Sequence, residues 1–198
     1  MCIRDSVGAS PEILVRHRGS EILSYALAGT APKHGPNAWT KEQLLTDKKN
    51  LFEHNIVRDR IVKTMETITP DVTIGETGIM ELAHLYHLRT IITAKDSTKS
   101  LVEWAKLLHP TPALGGEPRE KALALLQKYE AHERGMYAAP FGFMKDMGDG
   151  IVIVAIRSAL IMDNVLYAYA GCGVVADSDA DEEYAETNNK MRTILEAL

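Results

Sequence analysis

The chain has 198 residues, with 22 Lys+Arg against 27 Asp+Glu for a formal net charge of −5, and 45% of it is hydrophobic. That composition can bury a substantial core, is inconsistent with disorder, and excludes a general electrostatic grip on nucleic acid or anionic membrane. Two cysteines, Cys2 and Cys172, cannot build a disulfide framework or a four-sulfur zinc site, and the longest apolar run, Ile151 to Ile156, is far short of the ~20 residues of a membrane helix. No basic segment followed by an apolar one opens the chain, so the sequence predicts a soluble, cytoplasmic protein with no membrane and no nucleic-acid partner.

Met1–Ser6 carries no capping or linker signal and runs straight into Val7-Gly8-Ala9-Ser10-Pro11-Glu12. Ile13–Val15 and Glu21–Ala28 are of strand-forming type, and the polar stretch Arg16–Ser20 between them suits a hairpin. Thr40 and Gln43 form a capping-box pair, which predicts one long helix to about Thr67, with Phe52, Ile56, Val57, Ile61 and Met65 as its apolar face. Val72–Ile74 and His84–Thr93 read as strands. Ser97 or Ser100 starts a helix with Leu101, Trp104, Ala105 and Leu108 on one stripe. Two prolines and two glycines exclude helix and central strand from His109–Gly116, and Pro118 suits the first position of a helix reaching His132. Pro140–Lys145, Ile151–Ile161 and Val165–Val175 predict an antiparallel meander, and Ser178 caps a last helix from about Asp181. This order predicts an α+β fold.

Some side chains are expensive where this pattern puts them. Arg157 continues an apolar face of its strand, so its guanidinium either meets a carboxylate or phosphate, or closes an internal ion pair. Glu53 shares a helix stripe with Val57 and Ile61, either as a boundary acid paired with a base or as an inward carboxylate in need of a cation. Glu183, Glu186 and Lys190 share a face of the last helix. They make either a solvated Glu-to-Lys pair, or hard-cation ligands with an ammonium beside them. His84 and His87 fall on opposite sides of a predicted strand and do not share a metal. Gly171-Cys172-Gly173 permits close backbone approach to a ligand but lacks the spacing of a dinucleotide fingerprint.

Nine segments follow one another along the chain: Gly8-Ala9-Ser10-Pro11-Glu12, Leu27-Ala28-Gly29-Thr30, Glu53-His54, His87-Leu88-Arg89-Thr90, His109-Pro110-Thr111-Pro112-Ala113-Leu114-Gly115-Gly116, Arg134-Gly135-Met136-Tyr137, Ala155-Ile156-Arg157-Ser158, Ala170-Gly171-Cys172-Gly173, and Glu183-Tyr184-Ala185-Glu186-Thr187 with Lys190. In this order they resemble the chorismate-utilising enzymes, of the anthranilate synthase component I-like kind. The subfamily resembled is that of the isochorismate synthases. The aminodeoxychorismate branch carries a nucleophilic lysine where this chain has Ala28, and the anthranilate branch is Gly/Ser-rich where it has His109–Gly116. Salicylate synthases are the near alternative.

The resemblance implies an α+β fold with a β-sandwich core flanked by helices, here its C-terminal half over residues 7–198, with residues 1–6 unmatched. It implies chorismate as substrate and addition of water to the ring while an allylic hydroxyl departs. Glu12 would be the general acid, and Mg²⁺ held by Glu53, Glu183 and Glu186 would neutralise the ring carboxylate. Arg157 and Tyr137, with the backbone of Gly171 and Gly173, would hold the enolpyruvyl carboxylate. Ala28, Gly29 and Thr30 would line the hydroxyl end, Lys190 would add positive charge near the metal, and His109 would contact substrate. No glutaminase subunit is expected. The family's general-base lysine lies on a strand upstream of the Ser-Pro-Glu motif, so the chain alone is expected to be inactive. A chorismate-binding module without turnover is the alternative of another class.

Overall fold

The structure is a computed structural model, which describes residues 4–197. Met1, Cys2 and Ile3 of the unmatched N-terminal segment lie outside the described residues. In chain order come β1 (Arg4–Gly8), β2 (Ile13–Arg18), β3 (Glu21–Pro32), α1 (Lys41–Thr46), α2 (Lys48–Glu66), β4 (Val72–Ile74), β5 (Gly78–Glu81) and β6 (Leu85–Lys95). The second half comprises α3 (Leu101–Leu108), α4 (Pro112–Gly115), α5 (Arg119–Tyr129), β7 (Pro140–Met144), β8 (Gly150–Val154), β9 (Ser158–Met162), β10 (Val165–Tyr169) and α6 (Ala180–Leu195).

The strands form two antiparallel sheets, a large one ordered β4-β6-β3-β2-β8-β7, with β5 beside β6, and a small one ordered β1-β9-β10. Helix α2 packs across β3 and β6, and α3 packs on β2 and β8. Leu14, Ile22, Val57, Ile61, Met65, Ile92, Trp104 and Val154 fill the space between. Trp104 is fully buried, and its indole N–H donates to Asp96 Oδ2 at 2.8 Å. The α+β class and the helix-flanked sheets are those expected.

Several boundaries differ from the sequence reading, each for a local reason. The expected long helix is two. Asp47 sits between them with extended backbone, and its side chain accepts the Asn50 N–H at 2.8 Å, capping α2 afresh. The turned register buries His54 and leaves Phe52 59% exposed. Pro112 opens a single helical turn inside the stretch expected to be irregular, a position where a missing N–H costs nothing. Asp179, not Ser178, caps α6; Ser178 Oγ instead accepts from Val175 N–H at 3.0 Å.

The expected strand Ile151–Ile161 is also two, and they belong to different sheets. Arg157 stands in the corner between β8 and β9 with φ +50°, a left-handed backbone that no side-chain pattern announces for an arginine. The small sheet takes in Arg4-Asp5-Ser6 as part of β1, paired along Ser158–Met162. Those polar residues become a strand through tertiary pairing rather than propensity. Gly8 closes that pairing, because a Cβ there would stand 2.8 Å from Ser158 Cβ.

Candidate active site

Between α2, the two sheets and α6 lies a cavity of about 690 Å³. It is lined by the turn before β2, by α2, by the middle of β3 with β6, by α4, α5 and the segment that follows to Ala138, by the corner at Arg157, and by the loop after β10 with Lys190 of α6. Glu12 lines it and is 2% exposed, and its Oε1 has no hydrogen-bond partner. Burial pushes its carboxyl up to about 7, against the opposing pull of Arg157, Thr111 and Lys190. It is therefore a carboxylic acid that still holds much of its proton near neutrality.

The middle of β3 is built around a bulge. Its register against β6 shifts between Ala28 and Thr30, and Gly29 between them has φ +78°. A Cβ on Gly29 would meet the Asn50 carbonyl and Leu88 at 3.0 Å, so the close approach of α2 needs glycine. The bulge sets Thr30 opposite His87, and Ala28 and Thr30 both line the cavity. Gly29 N–H points to Glu53 Oε1 at 3.5 Å.

Arg157, His87 and Thr30 form one hydrogen-bonded line. Arg157 can only donate, so at 2.7 Å from its Nη2 the His87 Nε2 is the acceptor. The ring proton then sits on Nδ1, which donates to Thr30 Oγ1 at 3.0 Å and leaves the threonine's own proton free to donate onward. Burial, with Arg157 and Lys190 nearby, holds His87 well below its ordinary value, so the ring is neutral. Arg157 Nε is a buried donor with no protein acceptor. A buried guanidinium with a spare donor is suited to a carboxylate.

Tyr137 lies on the same wall, stacked on Tyr169 at 5.5 Å, and burial raises its phenol so that it stays protonated. Its hydroxyl stands against Gly171, where a Cβ would come within 3.1 Å. Lys190 donates to the Gly171 carbonyl at 3.0 Å and pairs with Glu186. Gly173 lies over the Glu53 carboxylate so closely that a Cβ there would sit 2.4 Å from Oε1. The two glycines thus let the loop close on side chains, a signal visible in their spacing around Cys172.

One expectation changes. His109 is not in this cavity; it lines a separate apolar one between α3 and β7, where its Nε2 donates to the Ala138 carbonyl at 2.9 Å. Its work is to hold Ala138, which has φ +64°, one residue from Tyr137. Lys49, to which the sequence reading gives no role, pairs with Glu183 at 2.7 Å. For His87 the sequence reading offers only metal sharing with His84, which it excludes. Nothing in the spacing of β6 shows that a bulge on β3 brings Thr30 to it.

A carboxyl raised by burial and a buried guanidinium line one cavity beside two antiparallel sheets, a lining suited to a small, carboxylate-bearing ligand. The chain belongs to the chorismate binding enzyme family, whose model matches residues 4–198. It is 40% identical over 197 residues to the salicylate biosynthesis isochorismate synthase of Pseudomonas aeruginosa, covering 97% of this chain and 41% of that one. Its identity to the isochorismate synthase MenF of Bacillus subtilis is 38%, over 97% of this chain and 42% of the relative. DhbC from Bacillus anthracis superposes with a TM-score of 0.93 at 34% identity, over 98% of this chain and 54% of that one. The chain spans about half the length of these relatives.

Glu53 lines the cavity, and its carboxyl is raised by burial first and then by the charges of Glu186 and Glu183. Glu186 and Glu183 both press on Glu53, and carboxylate oxygens are the donors a hard divalent cation takes. Lys190 balances Glu186 and Lys49 balances Glu183, and among the described residues no His/Cys/Asp/Glu cluster of three is drawn together. No helix among the described residues is long and apolar enough to cross a membrane.

Proposed function

We propose that this chain carries the chorismate-binding and acid half of an isochorismate synthase acting in the cytoplasm without a glutaminase partner. The observation that supports it best is Glu12, a buried acid with a value of about 7 opposite a buried arginine. Arg157 and the protonated Tyr137 take the side-chain carboxylate of chorismate. Thr30, its orientation set by His87 and Arg157, donates to an oxygen at the ring's hydroxyl end. Glu12 gives its proton to the departing ring hydroxyl, which leaves as water. A second water adds to the ring two carbons away, with the double bonds shifting between. Mg²⁺, held by Glu53, Glu183 and Glu186, would supply charge neutralisation at the ring carboxylate.

The incoming water must lose a proton, and the lining residues described above are otherwise engaged. Lys190 is bound to Glu186 and the Gly171 carbonyl, and the acceptor nitrogen of His87 is taken by Arg157. Turnover is therefore tested in a protein of the relatives' full length. There Glu12→Gln should lower isochorismate formation at least ~10²-fold, the usual range of a general acid, while chorismate binding measured by calorimetry persists. Near-normal turnover would remove Glu12 from the mechanism. Salicylate and pyruvate as the main products would move the reading to a salicylate synthase.

A further inference from the structure

Thr111 stands at the N-cap of α4, the place where a threonine hydroxyl ordinarily accepts a backbone N–H of the first turn. It makes no such bond. The Leu114 and Gly115 N–H groups go to the Thr111 carbonyl instead, at 3.0 and 2.9 Å, so the helical turn needs nothing from the side chain. Thr111 is 1% exposed, and its Oγ1 is buried without a hydrogen-bond partner. Glu12 Oε1 is another buried atom in the same state. Valine would fill the same volume without burying a hydroxyl, so the oxygen calls for a reason.

We propose that Thr111 is a positioning residue for the acid: its hydroxyl donates to the buried oxygen of the Glu12 carboxyl and leaves the transferable proton on the oxygen that faces substrate. Three features converge on this: the unused cap, the two orphaned atoms, and the pull that Thr111 exerts on the ionisation of Glu12. Pro112 fixes the backbone beside it, so the donor is held in place before substrate arrives. The hydroxyl favours the carboxylate, and so keeps burial from making the acid too reluctant to part with its proton. The charged groups that bear on Glu12 are Arg157 from the β8–β9 corner and Lys190 from α6, both cationic; His87 from β6, which lines the same cavity, is neutral. The catalytic meaning of the contact rests on Glu12 being the general acid; the contact itself does not.

The test is a ¹³C titration of the glutamate carboxyls in the 198-residue chain, with the Glu12 signal identified by its loss in Glu12→Gln. Thr111→Val and Thr111→Ala should each move the Glu12 midpoint upward by about one pH unit, the scale of one hydrogen bond to a charged group. Thr111→Ser, which keeps the hydroxyl, should leave it near the wild-type value. Midpoints that follow side-chain volume rather than the hydroxyl, or that do not move, would overturn the proposal. In a full-length, active protein the hydroxyl-free variants should shift the basic limb of kcat upward equally and lower kcat with KM held. A shifted NMR midpoint with an unmoved pH–rate profile would retire Glu12 as the acid while leaving the Thr111 contact standing.

Discussion

Replacing Glu12 by glutamine should make the protein more stable at alkaline pH while disabling it. The carboxyl titrates at 4.5 when unperturbed and at about 7 in the fold, the difference being set mainly by burial. The folded state thus binds the proton more tightly than the unfolded chain. The stability linked to that proton is fully present below pH 4.5 and is lost as pH rises through 7. Integrating between the two values, ionisation withdraws under ~1 kcal/mol at pH 5 and about 3 kcal/mol at pH 8. Glutamine does not titrate, so Glu12→Gln should gain on the wild type by about 2–3 kcal/mol between those two conditions. Urea unfolding of both proteins at pH 5, 6, 7 and 8 measures this directly, because every other titrating group cancels in the difference. A stability difference that stays constant across the series would show that Glu12 ionises as readily in the fold as outside it, and the acid assignment would lose its physical basis.

His54 gives the opposite dependence. Its buried ring donates from Nδ1 to the Ala28 carbonyl at 3.1 Å and accepts at Nε2 from Thr90 at 2.7 Å, and burial holds it down at about 4. Its contribution is present above pH 6.5 and is lost as pH falls through 4, about 3 kcal/mol in all. His54→Gln should flatten that part of the acid limb in urea titrations, and an unchanged limb would refute the assignment. Glu186→Ala should weaken the Mg²⁺ dependence of chorismate binding by ~10-fold or more, the lower range for loss of metal-site support. Calorimetric binding with and without the ion checks this. An unaltered Mg²⁺ response would make Glu186 only the partner of Lys190.

What was legible in the sequence divides along a physical line. Thr40 with Gln43 caps α1 where its spacing put it, and Ser100, one of the two expected starts, caps α3. Glu53, Glu183, Glu186, Arg157 and the Gly171–Gly173 loop could be named because their residue types are costly or permissive where the pattern puts them, whereas Glu12 came from the family resemblance alone. The corner at Arg157 could not be read, since Ile151–Ile161 is apolar on both sides of it and a positive φ at arginine leaves no trace in composition. The position of His109 was misread for a similar reason. Its motif identifies the loop, but only the paths of α3 and β7 decide which of two cavities the ring enters. Thr111 lies two residues further along that motif, and its unused cap is invisible until the first turn's hydrogen bonds are traced.

The bulge at Gly29 makes the cavity depend on counting. Before it, even-numbered residues of β3 face even-numbered residues of β6, as Ala26 does Thr90; after it, Thr30 faces His87. Removing Gly29 would restore a uniform ladder with Thr30 still opposite His87, but Ala28 and Thr30 would become neighbours on opposite faces and lose their pairing on the cavity wall, with hardly any change in hydrophobicity. Deleting a residue from the exposed turn at Gly19 would leave that pairing untouched. The length of this strand is therefore under a tighter constraint than most of its side chains. In a library of single-residue deletions, positions 27 to 31 should mark the site as sharply as any substitution scan.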